Sequence, residues 1–425
     1  MLLHAWLRLF RSDAAARWLT VALGCVSVLP VWGLARRLGG HRVGVATAVL
    51  IAASPMHVWH SQNGRGYILY FLLAALTCSS FYRALETNDN RHWLTYAICG
   101  VLGMYAHYYF VFLLLTQGLT LILEPVFKAR LKGATLALGT LVVGVLPLAW
   151  VALPDFTSEA VTPFAVPFQP AAIPYSYFAL LTGYSLGPSA AELHTMKPAD
   201  MAAGLAGWLV ALGVSVTILA VNGAKELGWT WMRRLGLLVL VPVLLCVPLA
   251  GALSITYQVR HLIWVLIPLV VLLGAGAARG RGRWPVAAAA LCLLLLFAIS
   301  LHHRRYVPRY ANEDLRALAS YLKTKGSTAS PIFVMTGYMA KPLSYYLGPR
   351  RRIYQLPRVE RNDASLRQSL AYMRDRVPAG SSFWLVYVRS FHGDPEGRFL
   401  ESVLREHRSG RRIDFPGVVL REVRL

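Results

Sequence analysis

The chain has 425 residues, of which 56% are hydrophobic and only 15% are charged. A soluble protein of this length carries more charge, because it must cover its surface with polar groups. The composition therefore excludes an ordinary soluble enzyme and predicts an integral membrane protein. The net charge of +23 favours anionic membrane surfaces and phosphate-bearing ligands. Nucleic acid is the rival partner, but no segment resembles a nucleic-acid-binding motif, so none is predicted.

Ten apolar segments are predicted to cross a hydrocarbon core of roughly 30 Å. They lie at residues 17–35, 43–59, 67–82, 93–107, 109–127, 134–153, 202–221, 235–253, 261–278 and 285–302. The loops on one side of these segments hold fourteen basic residues, and those on the other side hold only Arg65, Lys197 and Arg260. Because basic residues concentrate in cytoplasmic loops, the side with fourteen is predicted to be cytoplasmic.

This orientation places the long loop 154–201 and the C-terminal tail on the outer side of the membrane. We predict a multi-pass transmembrane domain over residues 1–303, which includes that loop, and an extracytoplasmic domain over residues 304–425. An even number of spans also places the N-terminus outside, so either a span precedes this sequence or the count is wrong by one. Residues 1–17 fit either an interfacial amphipathic helix or the end of a preceding span.

The tail alternates helix and strand patterns. Asn312 is predicted to cap a helix whose first turn carries Glu313 and Asp314. Further helices are predicted at 364–376 and 396–407, and strands at 331–336, 383–388 and 418–423. Such alternation favours a small, mostly parallel sheet with helices packed on it. The predicted fold is an α-helical polytopic membrane domain of about ten spans with a small C-terminal α/β domain.

Polar residues gather at the predicted outer ends of three pairs of spans. The first group follows the second span, and its candidate ligand-binding residues are His60, Gln62, Asn63, Arg65 and Tyr67. An arginine on this side opposes the positive-inside bias. Arg65 therefore either faces an anionic ligand or reaches lipid phosphates along the membrane surface.

The second group contains Arg260 and His261, and the third contains His107 and Tyr108. Two isolated outer arginines can clamp a phosphate or pyrophosphate through bidentate hydrogen bonds. His107 either contacts a sugar hydroxyl or phosphate, or simply caps a helix end. The five cysteines fall within apolar segments without metal-ligand spacing, so no metal or cofactor is predicted.

These groups carry a resemblance to a known family. Residues 61–67 read Ser-Gln-Asn-Gly-Arg-Gly-Tyr and resemble the Ser-Gln-Glu-Ala-Arg-x-Tyr segment of bacterial glycosyltransferase family 39. That family is related to the dolichyl-phosphate-mannose–protein mannosyltransferases and the aminoarabinose transferase, within the GT-C superfamily. Residues 105–109 are similar to its Tyr-Thr-His-Tyr-Phe, 259–261 to its Val-Arg-Tyr, and 313–316 to its Glu-Asp-Trp-Arg. Residues 183–194 also resemble an outer-loop segment of the family, so the likeness runs through nearly the whole chain.

The resemblance implies transfer of a sugar from a polyprenyl-phosphate carrier, with inversion at the anomeric carbon. It implies an inner (plasma) membrane location with the C-terminal domain in the periplasm or outside the cell. Arg65 and Arg260 would bind the donor phosphate. The other candidate residues would contact the substrate: His60, Gln62, Asn63, Tyr67, His107, Tyr108 and His261. The partners implied are a polyprenyl-phosphate-linked sugar, membrane lipids, and an acceptor that is a protein, a lipid or a glycan.

The sequence departs from the family pattern in its acidic residues. Asn63 replaces the glutamate of Ser-Gln-Glu-Ala-Arg, and an amide cannot accept a proton at neutral pH. The Asp-Glu motif that supplies the family's base is expected upstream of Met1, so the catalytic residue is unknown. Asp13, Asp155, Glu159 and Glu192 have no family support as bases. A lipid or glycan transporter (flippase) and a non-catalytic membrane scaffold therefore stay open as alternatives.

Overall fold

The computed structural model describes residues 2–10, 12–156, 169–189, 191–253, 256–279, 283–325, 330–360, 362–378 and 380–424. The chain divides into two compact units. The first, called here the membrane unit, comprises Met1–Tyr184 and Ala206–Leu301. The second, called here the C-terminal unit, comprises Ser185–Leu205 and His302–Leu425.

The helices of the membrane unit follow the apolar pattern of the sequence. In chain order they are α1 (Leu2–Leu9), α2 (Asp13–Ala53), α3 (Pro55–Ser61), α4 (Tyr67–Thr87), α5 (Asn90–Ala106), α6 (Phe110–Ile122), α7 (Phe127–Phe156), α8 (Ala172–Thr182), α10 (Pro198–Ala252), a 3-10 turn (Val259–Val265), α11 (Leu266–Arg279) and α12 (Trp284–Tyr306). Each of the ten predicted spans coincides with helical residues. Among the described residues, six helices are long and apolar enough to cross a membrane.

Two of these six helices are far longer than one crossing requires. A helix of 55 residues such as α10 extends about 80 Å, more than twice the hydrocarbon thickness. Gly228 interrupts α10 at φ 78°, and Gly40 interrupts α2 at φ 83°. Side chains with a Cβ disfavour this positive-φ region, so glycine is the residue that allows the chain to turn there. Helix α10 therefore covers the predicted spans 202–221 and 235–253 almost completely, whereas α2 covers 17–35 and the first part of 43–59, which ends in α3.

Helix α11 lies at the centre of the membrane unit, with its residues from Leu266 to Gly276 all buried. Glycines allow other helices to approach it closely. A Cβ added to Gly223 of α10 would lie 2.0 Å from the carbonyl oxygen of Leu272. A Cβ added to Gly276 would lie 1.9 Å from the carbonyl oxygen of Leu219. Small residues bring membrane helices into backbone contact in this way.

At the predicted cytoplasmic ends of the helices, arginines pair with carboxylates. Glu124, which is buried, accepts bonds of 2.9 Å and 2.7 Å from Arg234 and one of 2.9 Å from Arg233. Arg279 pairs with Glu226 at 3.1 Å. These pairs join helices on one side of the unit.

The C-terminal unit contains a five-stranded sheet. Its strands are β1 (Ile332–Val334), β2 (Ile353–Gln355), β3 (Ser382–Val388), β4 (Arg408–Phe415) and β5 (Val418–Arg424), in the order β2-β1-β3-β5-β4. The β1 strand pairs in parallel with β2 and β3, but β5 pairs antiparallel with β3 and β4. The prediction of a mostly parallel sheet is therefore wrong for half of the pairings, because β4 and β5 form a hairpin.

Helices cover both faces of this sheet. They are α13 (Leu315–Lys325), α14 (Ala340–Leu347), α15 (Asp363–Arg374), α16 (Ser390–Gly393) and α17 (Arg398–Glu406). Ile332 and Val334 of β1 pack toward α13 and α14, whereas Phe333 packs in the cluster formed with α15 and α17. This alternation is the two-residue period of a strand that is buried on both faces. The predicted small α/β domain is confirmed.

The helix that was predicted to be capped by Asn312 starts later in the structure. Asp314, rather than Asn312, caps α13, because its carboxylate accepts a bond of 2.9 Å from the backbone N–H of Ala317. The amide oxygen of Asn312 instead accepts a bond of 3.1 Å from Arg304. Glu313 lies before the helix and binds Arg389 through both carboxylate oxygens.

Part of the predicted outer loop groups with the tail rather than with the spans. It carries α9 (Glu192–Thr195), and the hydroxyl of Tyr310 donates a bond of 2.5 Å to the carbonyl of Gly187. Glu192 accepts bonds from the backbone of Ser189 at 2.7 Å and from Arg309 at 2.8 Å. Among the other carboxylates considered as bases, Glu159 and the side chains of Asp13 and Asp155 lie outside the described residues.

Candidate functional site

The candidate site in the membrane unit contains Arg260, whose guanidinium has N–H donors available to a ligand. Arg260 is half-buried, and its Nε donates a bond of 3.0 Å to the hydroxyl of Tyr67. The guanidinium carbon lies 5.5 Å from the centroid of the Tyr67 ring. Within the part of the chain that the structure describes, Arg260 forms no ion pair with a carboxylate. A guanidinium has five N–H donors, so most of them are available to an anion.

The 3-10 turn Val259–Val265 fixes the position of Arg260. The backbone N–H of Gln258 donates to Nδ1 of His261 at 3.3 Å, and the hydroxyl of Tyr70 donates to the His261 carbonyl at 2.8 Å. Because Nδ1 accepts, the neutral ring carries its proton on Nε2, by inference from this hydrogen bond. The turn thus places a cation and a neutral imidazole side by side.

Aromatic and imidazole rings from four segments meet beside this turn. The Tyr67 ring lies 4.9 Å from His60 and 5.5 Å from His107, measured between ring centroids. His107 in turn lies 5.0 Å from His261, and Tyr109 lies 4.5 Å from His261. The rings are tilted against one another, and such rings combine apolar faces with polar edges. The rings form one contiguous cluster in the membrane unit.

His107 both ends a helix and joins the ring cluster. Its backbone N–H donates to the carbonyl of Gly103 at 2.9 Å and terminates α5, so the capping interpretation is part of its role. Its Nδ1 accepts from the backbone N–H of Tyr109 at 3.3 Å. Because Nδ1 accepts this bond, the neutral ring carries its proton on Nε2, as in His261.

The structure thus gathers six of the nine candidate residues: His60, Tyr67, His107, Tyr108, Arg260 and His261. The other three, Gln62, Asn63 and Arg65, lie in the turn that joins α3 to α4. Gln62 and Arg65 are exposed there, and Asn63 is half-buried. A clamp formed by Arg65 together with Arg260 stays a prediction.

Sequence reasoning missed three tyrosines of this region. Tyr70 lies one helical turn after Tyr67, so its spacing on α4 was a usable signal. Tyr109 is buried, and its hydroxyl donates to the carbonyl of Thr256 at 2.7 Å. Tyr184 has a positive φ of 62°. Burial raises its pKa, against the opposing effects of Arg260 and of the backbone of Val259.

The cluster combines one guanidinium group, that of Arg260, with several neutral rings. Arginine recognises phosphate through parallel N–H···O bonds, and imidazole Nε2–H and tyrosine hydroxyl groups suit sugar hydroxyls or phosphate oxygens. Among the described residues, no group of three or more histidine, cysteine, aspartate or glutamate side chains is arranged to hold a metal ion. The arrangement fits a ligand that combines a polar ring with a phosphate.

Comparison with known proteins agrees with the predicted resemblance. Residues 2–152 match the family model described as dolichyl-phosphate-mannose-protein mannosyltransferase. The chain is similar in structure to ArnT from Cupriavidus metallidurans in the apo state, with a TM-score of 0.57 and 12% identity over 99% of this chain and 86% of that one. No curated protein matches the chain in sequence.

Two further solved structures show the same fold. ArnT from Cupriavidus metallidurans bound to undecaprenyl phosphate gives a TM-score of 0.52 at 12% identity, over 99% of this chain and 86% of that one. The oligosaccharyltransferase of Archaeoglobus fulgidus gives 0.54 at 11% identity, over 97% of this chain and 62% of that one. The predicted resemblance to the GT-C glycosyltransferases and the predicted fold class are therefore confirmed.

Proposed function

We propose that this chain, which has the fold of the GT-C glycosyltransferases, transfers a sugar from a polyprenyl-phosphate donor to an acceptor. The reaction takes place at the outer face of the inner membrane, on the side predicted from the loop charges. The observation that carries the proposal is the geometry of Arg260. Its guanidinium is held by the Tyr67 hydroxyl and forms no ion pair with a described carboxylate.

The comparisons support the same class of donor. The family model that matches residues 2–152 is named for a dolichyl-phosphate-linked sugar, and one similar structure is that of ArnT bound to undecaprenyl phosphate. Both ligands are long isoprenoid chains that end in a phosphate. A protein whose helices are long and apolar enough to cross a membrane can hold such a chain beside lipid while a cation binds its headgroup.

The chemistry requires one displacement at the anomeric carbon. The bond between that carbon and the donor phosphate oxygen breaks, and a bond to the acceptor oxygen forms on the opposite face, which inverts the configuration. The acceptor proton passes to a base, and the lipid phosphate leaves with the bonding electrons. Arg260 stabilises the negative charge on the departing phosphate, a contribution of about 2.7–4 kcal/mol for a comparable donor in other enzymes.

The remaining candidate residues bind the donor in this proposal. The neutral rings of His107 and His261 and the ring of Tyr67 contact the sugar or the phosphate oxygens, with His60 and Tyr108 beside them. Gln62, Asn63 and Arg65 lie in the turn before α4, and Arg65 adds a second cation. We assign no residue to the base. The acceptor class also stays open among protein, lipid and glycan.

Binding of undecaprenyl phosphate to the purified full-length chain in lipid nanodiscs tests the phosphate site. Arg260→Gln should weaken binding by about 10–100-fold, because a hydrogen-bonded charged pair contributes roughly 1.5–3 kcal/mol. Lys197→Gln is the matched control, since it removes an exposed cation from the same predicted side. The proposal fails if Arg260→Gln binds as well as the wild type, or if undecaprenol without a phosphate binds equally well.

A transfer assay then separates an enzyme from a transporter or a scaffold. Membranes containing radiolabelled polyprenyl-phosphate sugars are incubated with the wild type or with Arg260→Gln. An enzyme moves the label from the lipid fraction to an acceptor, and the variant loses this activity by about 100-fold or more. A chain that binds undecaprenyl phosphate through Arg260 but transfers no label would be a carrier-binding protein instead.

A further inference from the structure

A cavity lined largely by basic side chains lies in the membrane unit, away from the Arg260 cluster. Its volume is about 510 Å³, and it is lined by Trp32, Gly33, Arg36, Arg37, Arg83 and His92. These residues come from the middle of α2, the last turns of α4 and the start of α5. Helix α4 begins at Tyr67, so Arg83 lies about 24 Å further along its axis. The cavity is therefore at the opposite end of α4 from the candidate donor site.

Arg37 has an unsatisfied donor at this cavity. Its Nη2 pairs with the carboxylate of Glu86, but its Nη1 is buried and has no hydrogen-bond partner among the described residues. A buried donor left without a partner is destabilising, and more so when the group is charged. A ligand oxygen in the cavity would remove this destabilising effect.

Two further arginines add positive charge to the same cavity. Neither Arg36 nor Arg83 forms an ion pair with a carboxylate that the structure describes, and both are exposed. The guanidinium carbon of Arg36 lies 5.1 Å from the centroid of the Trp32 ring, a cation–π contact that helps to orient it. Three arginines thus face one carboxylate, that of Glu86.

Some other arginines on this predicted side have a carboxylate partner, because Glu124 binds Arg233 and Arg234, and Glu226 binds Arg279. At the cavity, by contrast, only Arg37 of the three lining arginines pairs with a carboxylate that the structure describes. The size of the cavity lies within the range of about 300–1,000 Å³ that is usual for small-ligand sites.

We infer that this cavity binds the phosphate headgroup of an anionic membrane phospholipid. The arginine forks match phosphate oxygens, and basic pockets between membrane helices on the predicted cytoplasmic side are suited to such headgroups. Trp32 is an aromatic residue of the kind that lies at the membrane–water interface. Helices α2 and α5, which both line the cavity, expose apolar side chains such as Leu29, Leu94 and Ile98 that can contact the acyl chains. The inference is independent of the proposed transfer reaction.

Lipid binding to the purified full-length chain in detergent tests the inference, with native mass spectrometry as the measurement. Phosphatidylglycerol should bind at least tenfold more tightly than the zwitterionic phosphatidylcholine. The double variant Arg36→Gln/Arg83→Gln should lose this preference by tenfold or more. Arg91→Gln, which removes an exposed arginine near the start of α5 that does not line the cavity, should keep it.

A second variant occupies the cavity without changing its charge. A Cβ added to Gly33 meets no atom within 4 Å, so Gly33→Leu extends into open space on a helix. It should also abolish the preference for phosphatidylglycerol. Retained binding of undecaprenyl phosphate by these variants shows that the fold and the distant donor site are intact.

Three results would overturn the inference. The double variant or Gly33→Leu could bind phosphatidylglycerol as the wild type does, which would place the lipid elsewhere. Inorganic phosphate could displace phosphatidylglycerol at equal concentration, which would assign the arginines to a soluble anion. Equal binding of phosphatidylcholine and phosphatidylglycerol would remove the role of charge.

Discussion

Arg260 donates from its Nε to the hydroxyl oxygen of Tyr67 at 3.0 Å, although the two residues are 193 positions apart in the chain. This bond joins the 3-10 turn before α11 to the first residue of α4. It uses one donor of the guanidinium and leaves the other nitrogens to a ligand. The position of the cation is therefore set by tertiary packing rather than by its neighbours in sequence.

Tyr67→Phe removes the acceptor and keeps the ring. The guanidinium then loses a partner that orients it, so binding of undecaprenyl phosphate should weaken by about 3–10-fold, as expected for a hydrogen bond worth roughly 0.5–1.5 kcal/mol. Affinity is measured in nanodiscs beside Tyr105→Phe, which changes an exposed tyrosine on α5. Equal affinities for Tyr67→Phe and the wild type would show that the bond does not position the cation.

Gly223→Ala tests the close contact between α10 and α11. The added Cβ would lie 2.0 Å from the carbonyl oxygen of Leu272, so one helix must shift, at a cost of about 1–3 kcal/mol. The matched control is Gly213→Ala on the same part of α10, where an added Cβ meets nothing within 4 Å. Alanine there should be neutral or stabilising by up to about 1 kcal/mol. Thermal unfolding in detergent gives the comparison, and similar shifts for both variants would contradict the packing described.

The predicted spans follow from local composition, because the transfer of an apolar helix into a bilayer depends mainly on its own side chains. All ten coincide with helical residues. Their ends were less predictable, because Gly40 and Gly228 change direction within continuous hydrogen-bonded runs. A glycine in a sequence does not reveal whether its φ is positive.

The sheet was only partly predictable for a different reason. Strand β4 reads Arg-Ser-Gly-Arg-Arg-Ile-Asp-Phe and has no alternating apolar pattern. Strand β4 forms because its backbone hydrogen-bonds to β5, which is its one neighbour at the edge of the sheet. The three-residue strand β2 is too short for any pattern to appear.

The candidate residues were predicted from the polar groups at the outer ends of the spans and from the family resemblance, but their contacts with one another were not. Nothing in the sequence alone places His107 near His261, since their contact depends on how α5 and the 3-10 turn pack. Tyr109 and Tyr184 were missed because an aromatic residue at a helix end is equally common in a lipid-facing position. The role of each site residue stays a prediction.

Glu313→Gln tests the pair that opens the C-terminal unit. Glu313 binds Arg389, which has a left-handed backbone with φ 45° that costs a non-glycine residue about 1–2 kcal/mol. Loss of the carboxylate leaves a partly buried guanidinium without its partner, so we expect destabilisation of about 1–3 kcal/mol. Limited proteolysis of the full chain measures opening of this unit. Glu401→Gln, an exposed carboxylate on α17, is the control and should change little.

His392 gives a pH prediction for the C-terminal unit. Its Nδ1 lies 2.7 Å from the Tyr338 hydroxyl. Burial, followed by the charges of His194, Arg389 and Arg358, lowers its pKa from 6.5 to about 4. Because the folded state resists protonation, the unfolded chain takes up the proton first. The stabilising effect of the neutral ring is therefore complete above pH 6.5 and is lost as the pH falls toward 4.

The titration is measured by NMR on the full chain labelled with ¹³C-histidine. The signal that disappears in His392→Gln identifies the residue, and its midpoint should lie near pH 4. Lowering the pH from 6.5 to 4 should make the wild type more sensitive to proteolysis. The effect should be smaller in His392→Gln, because this variant lacks the group that takes up a proton on unfolding. A midpoint at or above 6.5 would mean that His392 is solvated, and the packing of His194, Tyr338 and Arg389 around it would then be wrong.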